Sequence, residues 1–279
     1  MLKNNYHTHM RFCNHATGDV IDYIEEAIKI GMTEIGMTDH APILESFMPK
    51  KDYDRNKCFE NMKLDMIDTY LSQIEDSRKK YGNKINILSG FETEFLPDQL
   101  EFYKELRTKV DYMNIGIHFY NDIDGKIIDS YGDINYNNVI QYANIAIKAM
   151  ETGLFNTLVH PDLFMYAYKN IDGKREFDDN AIKASKMIIE AAIKNNVYLE
   201  INCNALKKIE DVSDLKSWKY PSIDFWNIAK EYKDLKIIIG IDAHKPERLS
   251  GFHVDAIIKF SKDLGLNVLD KMEINHWKY

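Results

Sequence analysis

Short apolar runs and longer stretches of helical periodicity alternate along this chain seven times, with no break in composition between them. The runs end in HTHM at residue 10, then cover 33–40, 85–92, 110–118, 155–160, 196–202 and 235–244. The spacing predicts helices over 19–30, 59–80, 98–108, 136–151, 178–194, 222–232 and 252–263 between and after them. Gly31 and Gly82 are placed to end the first two helices. A last apolar run, LNVLDKMEIN at 266–275, reads as a closing strand. Strand and helix in strict alternation require parallel strands joined by crossover helices, an α/β fold. Neither GxGxxG nor a Walker GxxxxGK[ST] loop occurs, so nothing marks an open-sheet nucleotide site. A closed, TIM-like (β/α) barrel formed as one domain over 1–279 explains the repeat best.

In such a barrel the carboxyl ends of all strands open on one face, where active sites are built. Polar residues fall at those ends here: His7 and His9, Asp39 and His40, Glu92 and Glu94, His118, His160, Glu200 and Asn202, and Asp242 and His244. His15 lies in the first strand–helix loop. Seven of the nine histidines therefore converge on one rim, and only His253 and His276 fall outside the pattern. So many imidazoles and carboxylates at one mouth would compete for solvation and repel once charged. Divalent metal ions resolve both problems, because neutral imidazole and carboxylate are ligands of Zn, Mn and Fe. Residues i and i+2 of a strand point the same way, so HTH aims His7 and His9 together into the mouth.

Composition narrows the partners. The chain has 36 Lys and Arg against 44 Asp and Glu, a net charge of −8, which argues against a nucleic-acid or anionic-membrane surface. A small phosphorylated substrate stays compatible, because a bound cation reverses the local sign. The N-terminal MLKNNYHTHM has no apolar stretch of the signal-peptide or anchor kind. Cys13, Cys58 and Cys203 are scattered, odd in number and form no CxxC pair, which suits a reducing cytoplasm. Cys13 reads as incidental, and the lysine pairs at 50–51 and 79–80 as solvated faces.

The segments HTHMRFCNHA (7–16) and TDHAP (38–42), with the later Glu, His and DAH positions, resemble the polymerase-and-histidinol-phosphatase (PHP) superfamily of metal-dependent phosphoesterases. The likeness runs from YHTHM to DAH at 242–244, and the first two segments are similar to the histidinol-phosphatase branch. It implies a distorted seven-stranded (β/α) barrel with three divalent ions (Zn, Mn or Fe). By that resemblance His7, His9, Glu92 and Asp242 hold one ion. Glu92 bridges to a second completed by His118 and His160, and His15, His40 and His244 hold the third. The chain departs from the family at Gly116–Ile117 and Gly240–Ile241, where SV and GS are more familiar.

The implied reaction is hydrolysis of L-histidinol phosphate, a step of histidine biosynthesis. Clustered ions activate water and stabilise charge developing on the phosphoryl oxygens. Glu92, Asp242, His244 and Asp39 are the candidate catalytic residues, with Asp39 expected to orient His40. Glu94 is the candidate partner of a substrate ammonium. Arg11, Arg175 and Arg248 are candidate phosphate forks. Competing readings are a PHP-type phosphoesterase for another small ester, a phosphoprotein or a nucleotide, a metal-dependent amidohydrolase, and a non-catalytic metal-binding protein. An amidohydrolase typically uses a lysine ligand at a strand end, and no strand end named above carries one. The oligomeric state has no signature in the sequence.

Overall fold

A computed structural model describes residues 2–44, 60–208 and 213–274. Seven parallel strands form one sheet in the order β1 (Asn4–Asn5), β2 (Glu34–Met37), β3 (Asn86–Glu94), β4 (Tyr112–Gly116), β7 (Thr157–Leu158), β8 (Tyr198–Asn202) and β9 (Ile237–Gly240). The sheet closes through a parallel bridge between Thr8 and Ala243, with His9 N donating to Ala243 O at 2.8 Å and Asp242 N to His7 O at 3.0 Å. β2, β4, β8 and β9 are buried along their whole length, as expected of strands covered on both faces.

Helices α1 (Val20–Lys29), α2 (Ile67–Tyr81), α3 (Leu100–Lys109), α4 (Val139–Glu151), α5 (Asp179–Lys194), α6 (Ile223–Ala229) and α7 (Phe252–Leu264) lie between or after the strands. Each has a sequence cause. In α1, Val20, Tyr23, Ile24 and Ala27 form the buried stripe, and the Asp22 carboxylate accepts from Asp19 N at 2.7 Å at its start. In α5, Asp178 accepts from the backbone N–H groups of Asn180 and Ala181.

Four details depart from the sequence expectation. Residue 59, the expected start of the second helix, lies outside the described residues, and α2 begins at Ile67 after a 3₁₀ turn over Leu64–Met66. The helix expected over 222–232 is trimmed to α6. An antiparallel hairpin, β5 (Phe119–Asn121) with β6 (Ile127–Asp129), leaves the mouth directly after β4. The run at 266–275 is no strand over its described residues. Only Val268 bridges, to Ile237. Beyond it the chain turns inward and buries Met272 against Tyr6, Tyr112, Tyr198 and Ile238. Its backbone donors are taken by side chains, Met272 N by Tyr6 Oη (3.0 Å) and Glu273 N by Tyr198 Oη (2.9 Å). A ladder there would forfeit those bonds and the apolar burial.

The barrel interior thus has a floor of tyrosines and Met272 and a mouth of histidines and carboxylates. Two glycines make the mouth possible. A Cβ at Gly116 would stand 2.7 Å from Glu92 Oε1, and one at Gly240 would stand 2.0 Å from Glu200 Oε2. At both departures from the family pattern, then, the glycine clears space for a buried carboxylate, while Ile117 and Ile241 join the core.

Candidate metal centre

The seven rim histidines do meet. The rings of His9 and His40 are 4.3 Å apart, those of His9 and His244 4.4 Å, His15 and His244 4.7 Å, and His118 and His160 4.7 Å. Glu92, 1% exposed, lies among them and divides its oxygens. Its Oε2 stands 3.2 Å from both His7 Nε2 and His9 Nε2 and 3.3 Å from His40 Nδ1. Its Oε1 stands 3.0 Å from His160 Nε2 and 3.6 Å from His118 Nε2. Asp242 Oδ1 faces His9 Nε2 at 3.1 Å and His244 Nδ1 at 3.4 Å. Among the described residues five groups bring three ligand atoms within 4.8 Å of one another: His7, His9 and Asp242; His9, His40 and His244; Glu92, His118 and His160; His40, Glu94 and His118; and His9, Cys13 and Asp39. His15 Nε2 is 2.9 Å from His244 Nε2.

Backbone strain accompanies this convergence. His160 (φ +34°) and Asp242 (φ +53°) both occupy the left-handed region, which a non-glycine residue enters at a cost that active sites commonly carry.

Carboxylates behind the ring hold its orientation. Glu200 Oε2 faces His7 Nδ1 at 2.8 Å, and Glu94 Oε1 pairs with His118 Nδ1. Asp39 Oδ1 lies 3.7 Å from His9 Nδ1. A proton drawn to the Nδ1 of His7 and of His118 leaves their Nε2 lone pairs pointing inward. The His7 and His9 Nε2 atoms face each other at 3.0 Å. Asp242 Oδ1 and His160 Nδ1 are buried without a hydrogen bond, as are His9 Nδ1 and Asp39 Oδ2. Asn202 Nδ2 and Asn204 Nδ2 each donate to Asp242 Oδ2 at 3.1 Å and so leave Oδ1 free. These donors, nitrogen and oxygen at the bottom of one cup, fit divalent ions of the zinc, manganese and iron group.

The electrostatics agree. Burial disfavours charge on His7, yet the carboxylates of Glu200, Asp242 and Glu92 hold its pKa well above the ordinary value. His9 is held up similarly, against burial, by Asp242, Asp39 and Glu92. His118 is pushed up to about 9, against burial, by Glu94 and Glu92. Burial and the neighbouring imidazoles push His15 down and His244 down to about 3. For Glu92 and Asp242 burial opposes ionisation, and the surrounding histidines overcome it and keep both carboxyls well below their usual range. Among the described residues the ion-pair partners of Glu92, Glu94, Glu200 and Asp242 are all histidines. The anionic frame therefore draws positive charge to the foci where ligand atoms converge.

Several sequence expectations land elsewhere. Asp39 serves His9 rather than the His40 ring; it meets His40 only by accepting from its backbone N at 3.0 Å. Glu94 is not free for a substrate ammonium, since its Oε2 accepts from His118 N while Oε1 holds the ring. Arg11 is drawn away to Asp19, Arg175 donates to Trp218 O at 2.7 Å, and Arg248 is exposed on the 3₁₀ turn Pro246–Leu249. The Cys13 sulfur lies within 4.8 Å of ligand atoms of His9 and Asp39. His253 packs outside the centre on Arg248 O, and His276 lies outside the described residues. Lys79 and Lys80 are solvent-exposed as expected, whereas residues 50–51 are not described. Sequence reasoning assigned no role to Glu200, Asn202 or Asn204. The alternation of Glu200 with Asn202 on β8, aimed at the same interior, was the available signal.

Comparison with known proteins agrees with this geometry. A histidinol-phosphatase of Bacillus subtilis is 25% identical over 266 residues, covering 88% of this chain and 94% of the relative. A protein of Schizosaccharomyces pombe named "Probable histidinol-phosphatase" is 27% identical over 263 residues, covering 87% and 81%. The crystal structure of a histidinol phosphate phosphatase from Lactococcus lactis, complexed with zinc, L-histidinol and phosphate, superposes with a TM-score of 0.67 at 17% identity, over 96% of each chain. A solved structure from Listeria monocytogenes gives 0.71 at 18% identity, over 91% of this chain and 99% of that one. The PHP domain profile matches residues 5–204, which carry β2 to β8 and every ligand candidate except Asp242 and His244. With the barrel, the rim and the profile in agreement, this chain belongs to the PHP domain family.

Proposed function

We propose that this chain is a metal-dependent phosphomonoesterase that hydrolyses L-histidinol phosphate to L-histidinol and inorganic phosphate, within a single barrel domain over 1–279. The observation that carries the reading is the division of Glu92, one oxygen toward His7, His9 and His40 and the other toward His118 and His160. A carboxylate so placed suits a bridge between adjacent cations. In this reading His7, His9, Glu92 and Asp242 hold one ion, Glu92, His118 and His160 a second, and His15, His40 and His244 a third. The named activities of the Bacillus and Lactococcus relatives support the choice of ester.

Divalent ions held there supply Lewis acidity toward phosphoryl oxygens and make water nucleophilic near neutral pH. The chain's own contribution is placement. Glu200 and Glu94 fix the tautomer and tilt of His7 and His118, so that little reorganisation of these rings is left for the reaction itself. Asn202 and Asn204 do the same for Asp242. The deep setting of Glu92 and Asp242 keeps bulk water from screening the charges that act on the ester. No helix of the described residues is long and apolar enough to cross a membrane.

Substrate preference tests it. The protein reconstituted with zinc, manganese or iron is expected to hydrolyse L-histidinol phosphate far faster than p-nitrophenyl phosphate, judged by kcat/KM. Equal or lower turnover of L-histidinol phosphate would reject the substrate assignment, and metal uptake without hydrolysis of any monoester would reject the enzyme.

A further inference from the structure

His160 differs from four other rim histidines in what stands behind its ring. His7 has Glu200 at its Nδ1, and His118 has Glu94. His15 Nδ1 lies 3.0 Å from Cys13 O, and His244 Nδ1 lies 3.1 Å from Asp242 O. His160 turns Nε2 to Glu92 Oε1 at 3.0 Å, but its Nδ1 is buried without a hydrogen bond. A metal-binding imidazole normally has an acceptor there to fix its tautomer and tilt. The aim of this ring rests instead on the backbone that carries it and on the rings around it.

That backbone is strained. β7 ends at Leu158, and two residues later His160 takes φ +34°. A non-glycine residue stays in the left-handed region only where its surroundings over-determine it. Leu163 N donates to His160 O at 2.9 Å, and Tyr142 Oη to Pro161 O at 3.4 Å. Met165 N donates to Asp162 O at 2.9 Å, which closes the 3₁₀ turn Leu163–Tyr166 on the same segment. The long-range hold comes from the fully buried Asp162. Its Oδ2 accepts from Ser222 N at 2.5 Å and from Trp226 Nε1 at 3.1 Å, groups 60 and 64 positions away. Trp226 is fully buried on α6 within the main core. Asp162 Oδ1 has no hydrogen bond, so the carboxylate is buried at a cost, and what it gains is this tether.

We infer that Asp162 is the positioning residue of His160. By tying the segment after β7 to Ser222 and Trp226 it holds the left-handed backbone that aims His160 Nε2 at the focus shared with Glu92 and His118. It does through the main chain what Glu200 and Glu94 do for His7 and His118 through a ring nitrogen. The inference rests on the proposed function for one point, that a metal ion is held by Glu92, His118 and His160. Asp162 itself belongs to none of the candidate ligand groups.

The test compares Asp162→Ala, Asp162→Asn and Trp226→Phe with the wild type. Each protein is loaded with zinc or manganese and dialysed against graded EDTA, and the metal it keeps is counted by elemental analysis. Asp162→Ala is expected to surrender one equivalent at a roughly 10- to 100-fold lower chelator concentration, the usual cost of losing an outer support, while the other equivalents stay. Asp162→Asn still offers both N–H groups an acceptor and should recover most of that affinity. Trp226→Phe keeps the aromatic packing and removes one donor, so the same equivalent should loosen by less. Excess metal should return kcat toward the wild-type value in all three. A lowered urea midpoint with a wild-type chelator profile, or loss of all equivalents together, overturns the inference. Should Asp162→Ala not fold, a wild-type chelator profile in Trp226→Phe overturns it alone. A wild type that keeps no metal after loading would instead overturn the metal centre, and with it any aiming of His160 at an ion.

Discussion

The two ends of the barrel interior both bury polar groups and treat them in opposite ways. At the floor each hydroxyl of the tyrosine layer has a partner. Tyr6 Oη donates to Glu34, Tyr112 Oη donates to Tyr6 O at 3.0 Å, and Tyr198 Oη accepts from Glu273 N. Glu34 is in turn met by Asn86 Nδ2 and by Lys271 Nζ at 2.8 Å. At the mouth, His9 Nδ1, Asp39 Oδ2, His160 Nδ1 and Asp242 Oδ1 have no hydrogen bond, and imidazole nitrogens face one another. Buried polar atoms left unpaired cost roughly 1–3 kcal/mol each, so only something outside the polypeptide makes the mouth worth keeping. The floor is where the fold is stabilised, and the mouth is where its stability is given up for chemistry. That division can be broken by substitutions that should act on one end and leave the other unmoved.

The largest effect is expected at Glu92. Glu92→Gln keeps the shape and removes the charge that both halves of the histidine ring share. Metal-assisted steps of this kind are worth several kcal/mol, so kcat/KM should fall on the order of 10³-fold or more. Elemental analysis of the same sample should show less bound metal. Wild-type turnover with full metal content would mean that the division of Glu92 between the two histidine sets has no functional meaning.

Met272→Ala is the matching substitution at the floor. It removes a side chain that is 1% exposed and packed among three tyrosines. Such truncations cost about 2–5 kcal/mol, read here as a lower midpoint in urea. The kcat of the folded, metal-loaded enzyme should stay within about twofold, because none of the residues Met272 packs against is a candidate ligand. A large drop in kcat at full occupancy would show that floor and mouth are one mechanical unit.

How much of this was readable beforehand follows from what each feature depends on. The seven-strand alternation and the histidines at strand ends were legible because barrel topology alone brings the ends together. His15, His40 and His244 could be placed on the rim without knowing any side-chain torsion. The supporting contacts were not legible, because they pair residues remote in sequence whose meeting depends on rotamers. Glu200 reaches His7 across 193 positions, and Asp39 turns toward His9 instead of its neighbour His40. The arginines misled for the same reason, since nearby Asp19 and the Trp218 carbonyl capture Arg11 and Arg175. At 266–274 the apolar run suggests a strand, but an apolar pattern does not say whether hydrogen bonds come from a ladder or from tyrosine hydroxyls, and Met272 alone of this stretch is buried.

The smallest of these effects belongs to Glu200, which lies at the boundary between the two ends. Its Oε2 holds His7 Nδ1 while its Oε1 accepts from Asn202 Nδ2 at 2.7 Å, so it touches the ring of candidate ligands only from behind. Glu200→Gln keeps a hydrogen-bonding group there but no longer favours the Nδ1-protonated form of His7. Losing an outer partner of this kind typically costs about 10- to 100-fold in metal affinity or activity. Metal titration monitored by calorimetry should show the loss in one class of site. Excess metal should restore part of the turnover, which it cannot do for Glu92→Gln. If Glu200→Gln instead lowers the urea midpoint and leaves metal affinity untouched, Glu200 belongs with the floor, and the line between the stabilised and the functional ends of the barrel lies above it.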